Sequence, residues 1–102
     1  YGTWRALGES LSPAEVFTRN FWFCAVEDQS SFVQHERIGA DNIMLEADYP
    51  HCDSTWPHTQ QTIHQQISGL PDDVISKITW QNASRLYQHP VPAPVQTNPD
   101  AF

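Results

Sequence analysis

The apolar positions of this chain fall into short runs with two different periods. FWFCAV, Phe21 to Val26, is a continuous apolar and aromatic run set between Asn20 and the acidic pair Glu27-Asp28. Its length and lack of polar alternation predict a strand buried on both faces. DNIMLEA, Asp41 to Ala47, predicts a second strand. Ile43 and Leu45 would face one side, and Met44, Glu46 and Asp48 the other. Pro50 restricts Tyr49 to extended geometry and closes that strand.

Between and after these runs the pattern turns helical. Ser12, Pro13 and Glu15 have the spacing of a capping box with proline at the first helical position, and Val16 and Phe17 give that helix an apolar side. Phe32, Val33, Glu36 and Arg37 fit one short helix within Gln29 to Gly39, with Gly39 as its stop. Pro57 opens a segment with Ile63 and Ile67 four apart, and Gly69 ends it. Pro71 opens the clearest helix. Asp72 and Asp73 lie in its first turn, where the helix dipole favours acids, and Val74, Ile75 and Ile78 form an apolar stripe. Asn82 breaks this helix or caps a last short one through Leu86 and Tyr87. From His89 onward the chain is proline-rich and poor in apolar residues, so residues 1–88 are read as the folded part and 89–102 as a flexible tail.

Helices alternating with strands imply an α/β fold with a parallel sheet. Two strands alone leave two open edges, and a parallel pair needs cover on both faces. The pattern is therefore that of a slice of a larger α/β architecture. The opening at Tyr1 rather than Met is read either as the result of processing or as part of a longer protein.

Composition narrows the partners. Twelve acids against five Lys and Arg give a formal charge of −7. That balance argues against nucleic acid and anionic membranes, which need a cationic footprint. No apolar run approaches the length of a membrane span. Cys24 and Cys52 form no CxxC pair, so two reduced thiols in a cytoplasmic protein are expected.

The candidate chemistry gathers where the second strand ends, in Asp48-Tyr49-Pro50-His51. In open α/β sheets and β/α barrels, function collects at the carboxyl ends of strands. A carboxylate there can bind a divalent metal, take a proton, or both. Asp, Pro and Ser are also ordinary turn residues, and from spacing alone Asp48 reads more readily as a loop cap. His51 lies close enough to line the same mouth or to organise the loop. Glu46, two residues before Asp48, shares its strand face if the strand runs on without a bulge. A zinc site of His51, Cys52, Asp53 and His58 matches no standard structural spacing. Cys52 has no evident base partner for a nucleophilic role. Phe21, Trp22, Phe23 and Val26 read as packing. Trp56 reads as packed beneath the loop, and Asn82, Arg85 and Tyr87 as anchors for the last helix.

One combination outweighs the turn reading. IGADNIMLEADYPHCDSTWP, followed by LPDDVISKITWQNASRLY, resembles the C-terminal end of the amidohydrolase-related family, metal-dependent hydrolases and decarboxylases of the amidohydrolase superfamily. The likeness runs from about Pro13 to Tyr87. It implies a (β/α)8 barrel in the complete protein, with FWFCAV and NIMLEA as its last two strands. It also implies that Asp48 is the metal-site carboxylate and proton-transfer group, for zinc or manganese, acting on a small carboxylate-bearing or ring substrate. His51 and Glu46 would be substrate-facing. No His-x-His occurs in this chain, and the family's other metal ligands are missing. The resemblance therefore implies a fragment, not a complete barrel, that is inactive alone, binds no metal tightly alone, and is able to self-associate. The alternative from another class is a non-catalytic α/β interaction module whose open edges are capped by a partner or a second copy.

Overall fold

The computed structural model describes residues 10–94. Helix α1, Pro13–Asn20, starts as its capping box requires. The Glu15 amide donates to Ser12 Oγ at 3.3 Å, and the Ser12 amide donates to Glu15 Oε2 at 2.6 Å. The hydrogen bonds to Ser12 hold the Glu15 carboxyl below its usual range. Strand β1, Phe23–Ala25, follows, then two short helices, α2 (Gln29–Val33) and α3 (His35–Ile38). The sequence reading had one helix here. The chain instead breaks at Gln34, and His35 Nδ1 bonds to the Phe32 carbonyl at 2.8 Å. Gly39 ends α3 with φ 99°, a left-handed value that glycine adopts without steric cost.

A 3-10 turn, Ala40–Asn42, delivers the chain to strand β2, Ile43–Leu45. β1 and β2 pair in parallel, Phe23 with Ile43, Cys24 with Met44 and Ala25 with Leu45. Both strands are shorter than the apolar runs that mark them, because this pairing is the whole sheet among the described residues. Asp41 and Asn42, read as strand, are spent on the entry turn. The Ala47 carbonyl is bonded by the Thr55 amide at 3.1 Å and no longer belongs to a ladder.

Helices α4 (Thr59–Ile67) and α5 (Asp72–Ser76) come next. A π-helical stretch, Lys77–Gln81, joins α5 to α6, Asn82–Leu86. Asn82 was expected to break or cap this helix. The π turn carries the helix straight through it, and its side chain is completely buried.

The core is a single cluster. Ala25 and Ile43 meet Phe32, Ile63, Ile67, Val74 and Ile78, with Leu45 packed against them. Burying a side chain such as Phe32 or Ile78 contributes about 1.5–3 kcal/mol. The helices thus cover the sheet face that carries Ala25, Ile43 and Leu45. On the opposite face Met44 is buried, while Cys24 and Glu46 are exposed.

Several packing expectations change. Phe21 and Trp22 are 50% and 40% exposed, and Phe21 stacks on Phe17 with ring centroids 4.9 Å apart. Trp56 does not lie beneath the loop. It is largely exposed and meets Tyr49 edge to face, at 5.6 Å. Tyr87 is exposed and makes no side-chain hydrogen bond among the described residues, whereas Arg85 Nη2 donates to the Asp41 carbonyl at 2.9 Å. The fold is mixed helix and small parallel sheet, with no closed barrel among the described residues. No described helix is long and apolar enough to cross a membrane. Parts of the folded segment and of the tail, residues 1–9 and 95–102, lie outside the described residues.

Candidate functional site

The two ends of β2 are built differently. At its entry Asn42 Nδ2 donates to the carbonyls of Thr18 (2.6 Å) and Phe21 (2.7 Å), tying α1 to the turn before β2. Asn82 Nδ2 donates to the carbonyls of Ala40 and Ile43, each at 2.7 Å. The entry is closed by buried, satisfied polar groups.

At the exit the Glu46 amide still bonds the Ala25 carbonyl at 3.1 Å, so the chain stays beside β1 for one residue past Leu45. Asp48 then turns with φ 57°. Aspartate tolerates this left-handed conformation better than most residues, because its short polar side chain can bond locally. The turn ends the strand alternation, so the shared face expected for Glu46 and Asp48 does not extend to Asp48. It also folds the chain back on itself. The His51 amide donates to the Asp48 carbonyl at 2.9 Å, and His51 Nδ1 lies 2.8 Å from Asp48 Oδ1. The Tyr49-Pro50 and Trp56-Pro57 peptide bonds on either side of this loop are cis.

A carboxylate only accepts, so the hydrogen of this contact sits on Nδ1. Nε2 of His51 takes no part in this contact. The Asp48 side chain is 28% exposed and that of His51 72%. Oδ2 of Asp48 has no bonding partner among the described residues.

Asp53 completes a group. One ligand atom each from Asp48, His51 and Asp53 lie within 4.8 Å of one another. The sequence reading placed Asp53 only in a site with His51, Cys52 and His58. The loop brings His51 and Asp53 to Asp48, and neither Cys52 nor His58 joins them. Two carboxylates and an imidazole suit zinc or manganese. All three residues come from one loop, and His51 and Asp53 are exposed.

Glu46 stands apart from this group. Its neighbour is Cys24, across the sheet on the face opposite the helical core. Partial burial pushes the Cys24 thiol up, and the charge of Glu46 and hydrogen bonding to it push in the same direction. Cys24 therefore stays protonated near neutral pH and is a poor nucleophile. A groove of about 370 Å³ lined by Thr79, Trp80, Ala83, Tyr87 and His89 contains no residue of the Asp48 loop. Apolar volume and the titratable cluster are in different places.

The family model described as Amidohydrolase matches residues 11–88, a span holding both strands, the Asp48 loop and the closing helices. This chain belongs to the amidohydrolase family. No curated protein matches it significantly. The family is generally metal-dependent and acts on small molecules, and the Asp48, His51 and Asp53 group is a possible metal site in this amidohydrolase chain.

Proposed function

We propose that this chain supplies the last two β/α units of a metal-dependent amidohydrolase-family enzyme, a hydrolase or carboxy-lyase of small carboxylate-bearing or ring substrates. The observation that carries the reading is Asp48, a carboxylate at the exit of β2 with one oxygen held by His51 and the other without a partner among the described residues. Cys24 and Glu46, exposed on the sheet face opposite the helical core, support placing that face toward a barrel interior. When bound, zinc or manganese supplies Lewis-acid polarisation of a substrate oxygen. Asp48 would hold the ion and, in hydrolysis, take the proton of the attacking water. In decarboxylation Asp48 would deliver a proton to the carbon that loses carbon dioxide. His51, through its outward Nε2, and Glu46 would meet the substrate. The enzyme is read as cytoplasmic, in keeping with two free cysteines.

A catalytic metal site usually holds at least three protein ligands in a fixed geometry. One largely exposed loop does not supply that, so the chain alone is expected to be inactive and to retain less than one equivalent of metal. Elemental analysis after loading with zinc or manganese and dialysis tests this. One tightly held equivalent, lost in Asp48→Asn, would overturn the incomplete-site reading. The coding sequence upstream of Tyr1 tests the rest. A β/α-repeating region with an early His-x-His supports it, and a start codon directly before Tyr1 sinks it. The second reading, an interaction module, draws on the exposed Phe17–Phe21 stack beside β1. A compact, stable monomer on size-exclusion chromatography would count against both readings, since each leaves a surface to be covered.

A further inference from the structure

We infer that His51 is a positioning residue for Asp48: its Nδ1–H holds Oδ1 and so leaves Oδ2 as the oxygen offered to a divalent cation. The inference deepens the reading of Asp48 as a metal-site carboxylate and rests on it for the cation. Its geometric half stands on the loop alone.

Three observations converge. The imidazole and the carboxylate meet at 2.8 Å through Nδ1, the ring nitrogen nearer the backbone. The same two residues are joined through the main chain by the His51 amide and the Asp48 carbonyl at 2.9 Å. Asp48 has a left-handed φ of 57°, and the two contacting residues stand three apart in the sequence. A free aspartate at a loop entrance samples several rotamers. Here one oxygen is engaged, and rotation about the side chain would break that bond. A carboxylate that must present one oxygen to a cation gains from such a partner, and losing an outer partner of this kind typically weakens metal binding by about 10–100-fold.

The arrangement distinguishes three roles for His51. As a positioning residue it acts through Nδ1 alone, and an asparagine amide can put a donor at nearly the same place. As a direct ligand it would coordinate through a ring nitrogen, which asparagine and glutamine both replace badly. As a residue that touches only substrate, it would leave cation binding unchanged.

The test uses the chain itself. Long-range proton–nitrogen NMR of the metal-free protein should show His51 with hydrogen on Nδ1 and a bare Nε2, and Asp48→Ala should abolish that tautomer preference. Manganese added in small increments should then broaden the Asp48 and Tyr49 amide signals. Half-broadening should need about tenfold more manganese in His51→Ala and His51→Gln, and return to within about twofold of the parent in His51→Asn. An undisturbed amide spectrum elsewhere keeps this separate from unfolding. Equal loss in His51→Asn and His51→Ala would overturn the inference in favour of direct ligation. No loss in any variant, or hydrogen on Nε2 in the parent, would overturn it outright. If manganese leaves the Asp48 region of the parent untouched, the metal-site reading of this chain fails, while the tautomer still decides whether His51 holds Asp48.

Discussion

Each of the two strands leads into a loop that carries an aspartate, and the two aspartates have opposite fates. Asp28, after β1, caps helix α2. It accepts from the Ser30 amide at 3.1 Å, the Ser31 amide at 3.4 Å and both serine hydroxyls. Those bonds, the hydroxyls foremost, hold its carboxyl below the usual range. Asp48, after β2, has a single side-chain partner, His51. Position at a strand's carboxyl end does not distinguish them. What distinguishes them is leftover bonding capacity. A carboxylate whose lone pairs are taken by its own loop is a cap. One with an unengaged oxygen beside an imidazole can still do chemistry.

That contrast can be strained in order of expected effect. Asn82→Ala sets the upper end, as the removal of a buried and satisfied polar group from the closed end of β2. The carbonyls of Ala40 and Ile43 lose their side-chain donor, and urea unfolding should show a loss of about 2–4 kcal/mol. A loss under 1 kcal/mol would mean that the entry to β2 is less tightly closed than its geometry implies.

Asp28→Asn should come next, lowering the thermal midpoint by a few degrees at neutral pH. Because its folded-state pKa is depressed, the charge contributes stability above the unfolded value near 4 and loses it as pH falls through the folded value. The parent and the variant should therefore converge in acid. Midpoints that stay apart at low pH, or that coincide at pH 7, would erase the difference between the two aspartates.

Asp48→Asn should be the mildest of the three in stability, within about 0.5 kcal/mol, because its side-chain partner His51 is largely exposed. A larger loss would make Asp48 a structural cap like Asp28.

The sequence carried much of this, unevenly. Apolar runs located both strands and the stripe of α5, since burial follows hydrophobic pattern. Strand lengths were not legible, because they depend on the partner strand. The capping box of α1 was legible to the residue, being a purely local device. Asp48 was legible through its place after an apolar run, strengthened by the family likeness. Its pairing with His51, and the arrival of Asp53, were not. Both depend on how the turn from Asp48 to His51 closes, which no spacing of apolar residues records. Asn82 acts as the anchor it was read to be, but it does not break or cap the helix, as the poor helix propensity of asparagine suggested. Two buried carbonyls outweigh that local preference.

The π-helical stretch Lys77–Gln81 has a consequence for insertions and deletions. The Asn82 amide bonds the carbonyl of Lys77, five residues back, so this turn holds one residue more than an α-helical turn would. A single deletion among the five can be absorbed by closing the wide turn to an α-helical one, which keeps the Asn82 amide on the Lys77 carbonyl and the later side chains in nearly the same phase. A single insertion has no such slack: every later side chain would swing by about 100°, Asn82 would leave its two carbonyls and Arg85 would leave Asp41. The phase of the closing helix, rather than its composition, locks the start of the strand whose far end carries Asp48.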